Sequence, residues 1–102
     1  MYTVTNRLSL KPEYAKEISD NLIEHTKSLK DMPGFIAFYL IEPESEDQPY
    51  RVMSIWNSPE DFKAWTQSEE FKRSHSNREL MMKSLAGKPV LEKGTILHSV
   101  KK

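Results

Sequence analysis

Pro33-Gly34-Phe35-Ile36-Ala37-Phe38-Tyr39-Leu40-Ile41-Glu42 is the stretch on which the fold turns. The apolar run from Phe35 to Ile41 is too short for an independent helix and aromatic enough for a strand, one covered on both faces. The segment from Pro43 to Pro49 is acidic and turn-rich, and Tyr50 to Trp56 beyond it reads as another strand, so the pair forms an antiparallel hairpin with a longish loop. Upstream, Tyr14, Ile18, Leu22, His25 and Leu29 recur at three and four residues after Pro12, which predicts one long helix ending before Met32-Pro33-Gly34. Further upstream, Tyr2, Val4, Asn6, Leu8 and Leu10 alternate with Thr3, Thr5, Arg7 and Ser9, the pattern of a half-buried strand.

Downstream of the hairpin, Ser58-Pro59-Glu60-Asp61 opens a short helix with an N-cap serine, a proline in its first turn and acids facing the helix dipole. Ser68-Glu69-Glu70 repeats the pattern and predicts a second helix carrying Phe71 and His75 through Leu80-Met81-Met82 to a stop at Gly87-Lys88-Pro89. Gly94 to Val100 reads as the last strand, with His98 on its apolar side. The order βαββααβ, four mostly antiparallel strands with helices on one face, is a ferredoxin-like α+β arrangement occupying residues 1–102 as one domain. The other sheet face then needs cover, and a mean hydropathy of −0.67 points the same way, towards a homodimer.

Composition excludes several functions. Fifteen Lys plus Arg balance fifteen Asp plus Glu, so no net field draws in nucleic acid or an acidic membrane surface. The absence of cysteine removes disulfides, thiolate metal sites, iron–sulfur clusters and a Cys nucleophile together. No apolar run is long enough to span a bilayer and no leader pattern opens the chain, so a cytoplasmic protein is expected. Gly-rich phosphate loops, a Gly-x-Ser-x-Gly turn and paired His on one helix are also missing, and the run Glu42, Glu44, Glu46, Asp47 lacks the pattern of a calcium loop.

Asn6 is the most informative residue. It is a hydrogen-bonding side chain on an otherwise apolar strand face, and a buried amide left unpaired costs on the order of 1–3 kcal/mol. Either a neighbouring backbone group or water satisfies it, or it is aimed into a ligand cavity. His75 lies one helical turn beyond Phe71, so a flat apolar ligand could rest on the ring while the imidazole coordinates from the same side; the competing reading is a solvated histidine among Lys72, Arg73 and Arg78. Phe62 and Trp65 share a helix face and make an aromatic wall, of core or of pocket. Trp56, His25 and His98 read as core or interface residues. The cluster Lys72, Arg73, Arg78 and Lys83 reads as a solvated face, with partners for a ligand's carboxylates as the alternative.

Over most of its length the chain resembles the IsdG-type haem-degrading monooxygenases of the antibiotic biosynthesis monooxygenase superfamily. The resemblance rests on Thr5-Asn6-Arg7-Leu8, on Pro33-Gly34-Phe35, and on Ser54-Ile55-Trp56 through Glu60-Asp61-Phe62, Trp65, Ser68-Glu69 and Phe71-Lys72 to His75. The tract from Ser76 to Pro89 matches less clearly. The resemblance implies a dimeric α+β barrel that binds haem, iron protoporphyrin IX, as both cofactor and substrate, and opens its ring with oxygen and external electrons. His75 would then be the axial iron ligand, Trp65 would press on and buckle the porphyrin, and Asn6 would donate a hydrogen bond to the iron-bound ligand. Phe62 and Phe71 would supply apolar walls. With no flavin or nicotinamide motif in the chain, electrons would come from a reductase or small reductant. Two alternatives share the fold: a cofactor-free oxygenase of a quinol or aromatic substrate, and a non-catalytic haem-binding or ligand-binding stress protein.

Overall fold

The computed structural model describes residues 1–74 and 78–102. Strands β1 (Tyr2–Leu8), β2 (Phe35–Ile41), β3 (Tyr50–Trp56) and β4 (Val90–Thr95) form one sheet in the order β2-β3-β1-β4. All three pairings are antiparallel, with Asn6 opposite Val52 on one side and Leu91 on the other. This is the ferredoxin-like arrangement expected. The helices α1 (Pro12–His25), α2 (Pro59–Thr66), α3 (Glu69–Ser74) and α4 (Arg78–Ser84) complete the chain.

Four local expectations are corrected. The apolar stripe continues to Leu29, but α1 ends at His25: Thr26, at φ −100° and ψ −1°, closes it with its amide and hydroxyl both on the Leu22 carbonyl, and the chain tightens into a 3-10 turn over Lys27–Asp31 that buries Leu29. The last strand begins and ends earlier than Gly94 to Val100: β4 pairs from Arg7 opposite Val90 to Tyr2 opposite Thr95, and its partner runs out there. The Ile96 amide makes the final bond, to the Met1 carbonyl at 2.8 Å. His98 therefore lies beyond the strand, exposed, with Leu97 96% and Val100 83% accessible. Strand β2, expected to be covered on both faces, is covered on one, leaving Tyr39 49% exposed.

The hairpin and helix starts follow the sequence. Gly34 turns the chain into β2 with a φ of 78°, and its carbonyl accepts from the Asn57 amide at 2.8 Å. Ser58 caps α2 by accepting from the Asp61 amide at 3.3 Å, and Ser68 caps α3 through the Phe71 amide at 3.2 Å.

Apolar burial divides into two groups. An aliphatic cluster of Leu8, Leu10 and Ile18 is packed by Tyr14, Leu22, Met81 and Leu85 from α1, α4 and the segment after it. An aromatic cluster centres on Trp56, which is fully buried, meets Phe35 and Phe62 edge-on, and donates its indole N–H to Ser54 Oγ at 2.9 Å. Trp56 is thus the packing residue expected. Tyr50, partly buried beside the aliphatic group, has its phenol pKa pushed up by burial and by the charge of Glu42.

Candidate active site

Between the two clusters, over the helix-facing side of the sheet, lies a cleft of about 1270 Å³. That exceeds the roughly 300–1,000 Å³ of ordinary small-molecule pockets. Its floor is the inward row of β1, Tyr2, Val4, Asn6 and Leu8, with Val52 and Ser54 of β3 and Leu91 and Lys93 of β4. Phe62, Trp65 and Phe71 wall one side; Leu22, Met81 and Leu85 contribute aliphatic lining. The alternation of β1 is what brings Asn6 here: Val4 and Leu8 are buried on the same side, and a strand period of two carries Asn6 with them.

The amide oxygen of Asn6 is buried and has no hydrogen-bond partner among the described residues. No described backbone group satisfies it, and its side chain lines the cleft. A half-turn about its terminal torsion places the NH2 donors where the oxygen lies, so the site can offer either a donor or an acceptor. Trp65 stands at the junction of the aromatic group, 5.7 Å from the Trp56 ring, 6.0 Å from Phe62 and 4.8 Å from Phe71, which it meets at 90°. Rings packed in this way present a continuous aromatic wall to the cleft. Asn6, Phe62, Trp65 and Phe71 therefore converge on one cleft; His75 lies outside the described residues.

The solvated-face reading of the helix cations agrees with the structure, and the cations of the cleft are others. Lys72, Arg73 and Lys83 pair with Glu69, Glu70 and Glu79, each at 3.6 Å and one turn away along exposed helix faces, and none of them lines the cleft. Lys63, Lys88 and Lys93 do, together with His25, and no Asp or Glu is among the described lining residues. His25, read as core or interface, is an exposed residue of the cleft wall. Lys93 falls just outside a last strand running from Gly94 to Val100, as the sequence suggests. With β4 at Val90–Thr95, the alternation that turns Leu91 inward turns Lys93 inward too.

Residues 1–77 match the family model described as antibiotic biosynthesis monooxygenase. The chain belongs to that family. A relative from Staphylococcus epidermidis described as heme oxygenase (staphylobilin-producing) is 33% identical over 102 residues, covering 98% of this chain and 97% of its own. A heme-degrading monooxygenase of Listeria welshimeri is 36% identical over 53 residues, 49% of this chain and 44% of its own. Among solved structures, the heme-degrader MhuD of Mycobacterium tuberculosis, with two hemes bound in its active site, superimposes with a TM-score of 0.76 at 20% identity, covering 99% of this chain and all of that one. At that identity the likeness is one of fold. No helix among the described residues is long and apolar enough to cross a membrane.

Proposed function

We propose that this monooxygenase-family chain binds haem in the cleft and degrades it oxidatively, using molecular oxygen and electrons from an external reductase or small reductant, and releases the iron. The observation that carries the reading is the meeting of Asn6, Phe62, Trp65 and Phe71 on one large apolar cleft in which the Asn6 amide oxygen has no protein partner among the described residues. The similarity to heme oxygenases over nearly the whole chain supports it.

Haem supplies the iron and the macrocycle that is oxidised. The protein's part is to hold and shield it. Phe62, Trp65 and Phe71 give the flat ring an apolar contact and keep water from it; Trp65, fixed by its aromatic neighbours, is the residue able to press on the macrocycle without yielding. Asn6 presents an amide that can hydrogen-bond a ligand near the sheet without offering an acidic proton. His75, by the resemblance to the haem-degrading monooxygenases, would hold the iron. The functional unit is a cytoplasmic homodimer of one domain spanning residues 1–102. A folded monomer of 11.9 kDa is expected to expose roughly 5,900 Å², and this chain exposes 7376 Å². Much of the helix-free sheet face, including Tyr39, Met53 and Ile55, is apolar.

Haemin titrated into the protein should give a Soret band of histidine ligation, lost in His75→Ala and kept in His25→Ala, the control for the other cleft histidine. A spectrum unchanged by His75→Ala removes the assignment of the ligand. With reductant and air the band should decay, and catalase should not protect it. A band that persists indicates a haem-binding module without turnover. No band, with oxidation of an electron-rich aromatic, indicates the cofactor-free oxygenase.

A further inference from the structure

We infer that Lys63 and Lys93, which flank Phe62, form a carboxylate-binding subsite that selects a flat dianionic ligand by its two acid groups; the inference rests on the haem reading above. Most cations described on the outer surface of the helices are held by a glutamate or aspartate one turn away, as Lys16 is by Asp20 at 2.8 Å and Lys27 by Glu24 at 3.0 Å. The two lysines differ. Neither has an acidic partner among the described residues, both line the cleft, and the described lining contains no carboxylate.

Lys93 is the more telling. Its register partner is Val4, so it belongs to the helix-facing row of the sheet, where its neighbours are apolar. Its ammonium lies 5.8 Å from the centroid of the Phe62 ring. The described partner of this ammonium is thus an aromatic face and not a carboxylate. Lys63 is the next residue along α2 from Phe62, and it lines the same cleft. Phe62 gives the body of a flat ligand an apolar contact while the ammonium of Lys93 beside it, and that of Lys63 on the same cleft, meet acid groups at the ligand's edge. Lys88, in the segment leading into β4, adds positive charge to the cleft. An apolar floor with unpaired cations and no anions fits an amphiphile with a broad hydrophobic body and more than one carboxylate. Protoporphyrin, with two propionates, is of that class.

The test uses iron-free protoporphyrin IX and its dimethyl ester as probes, so that iron ligation plays no part, with quenching of tryptophan fluorescence as the readout. Two partly exposed ion pairs together give about a tenfold preference for the free acid, and that preference should shrink as salt is raised. In the double variant Lys63→Gln/Lys93→Gln the ratio of the two affinities should fall to near one; in Lys16→Gln, which removes a positive charge away from the cleft, it should stay near ten. Equal binding of acid and ester by the unaltered protein, or an undiminished ratio in the double variant, overturns the subsite and leaves the haem reading standing. Binding of neither probe likewise overturns the subsite, and the haem reading then stands or falls by the haemin titration alone.

Discussion

At the residue scale, Asn6 is where stability and function conflict. An amide on a strand floor between Val4 and Leu8, with its oxygen buried and unpaired among the described residues, costs on the order of 1–3 kcal/mol. Asn6→Leu replaces it with an apolar group of similar size, flanked in register by Val52 and Leu91. The variant should be more stable by about 1 kcal/mol, the unsatisfied polar group being gone, and should still bind haem through the apolar walls. Its rate of haem loss under reductant and air should fall by roughly a hundredfold, the usual effect of removing a single positioned hydrogen-bond donor. Chemical denaturation and single-turnover decay of the Soret band measure the two effects. A variant that is less stable and equally fast would show that Asn6 is a structural residue. The amide was legible in the sequence because an isolated polar residue on an alternating apolar face breaks the pattern. Lys63 and Lys93 were not, because a lysine is unremarkable until its strand register or helix face is known.

At the scale of elements, the cleft wall depends on how α2 is mounted. The chain enters β2 through Gly34 at a positive φ, and a Cβ added there would collide with the carboxyl group of Asp61. That carboxylate accepts from the Ser58 hydroxyl at 2.9 Å within the cap of α2. Gly34→Ala therefore strains a backbone that L-residues avoid and also pushes on the cap, a combined cost of roughly 1–3 kcal/mol. Because α2 carries Phe62 and Trp65, the same substitution should weaken haem binding, although Gly34 does not line the cleft. Pairing it with Asp61→Ala removes the carboxyl part of the collision but leaves the Asp61 Cβ at 2.6 Å and the positive φ, and should recover only a small part of the thermal stability. A Gly34→Ala protein with unchanged melting temperature would mean that the turn can be rebuilt without glycine. Strong cap and turn signals such as Pro33-Gly34 and Ser58-Pro59 were readable because they are local. The ends of α1 and β4 were not, since one falls within an unbroken apolar stripe, where the chain tightens into a 3-10 turn, and the other is set by where the partner strand stops.

At the scale of the whole molecule, one sheet face carries the helices and the cleft, and the other carries no element of this chain among the described residues. The radius of gyration, 14.0 Å, is about 1 Å above that of a compact chain of this length. The helix-free face mixes apolar and charged rows: Tyr39 lies opposite Met53 and Met53 opposite Thr5, while Arg7 lies opposite Arg51 and reaches Glu92 at 2.6 Å. Like charges placed directly opposite are unfavourable in an isolated sheet, and a glutamate on the neighbouring strand offsets one of them. If a second copy covers this face, as the proposed homodimer requires, folding and association are linked, and the melting temperature should rise with protein concentration. Tyr39→Glu places a charge in the middle of that contact at a position 49% exposed in the single chain, where the fold itself has little to lose. It should shift the sedimentation coefficient from dimer to monomer and abolish the concentration dependence of melting, while the monomer keeps its circular dichroism. An unaltered protein that sediments as a monomer over the micromolar range would overturn the dimer, and a Tyr39→Glu protein that remains dimeric would move the contact to another surface.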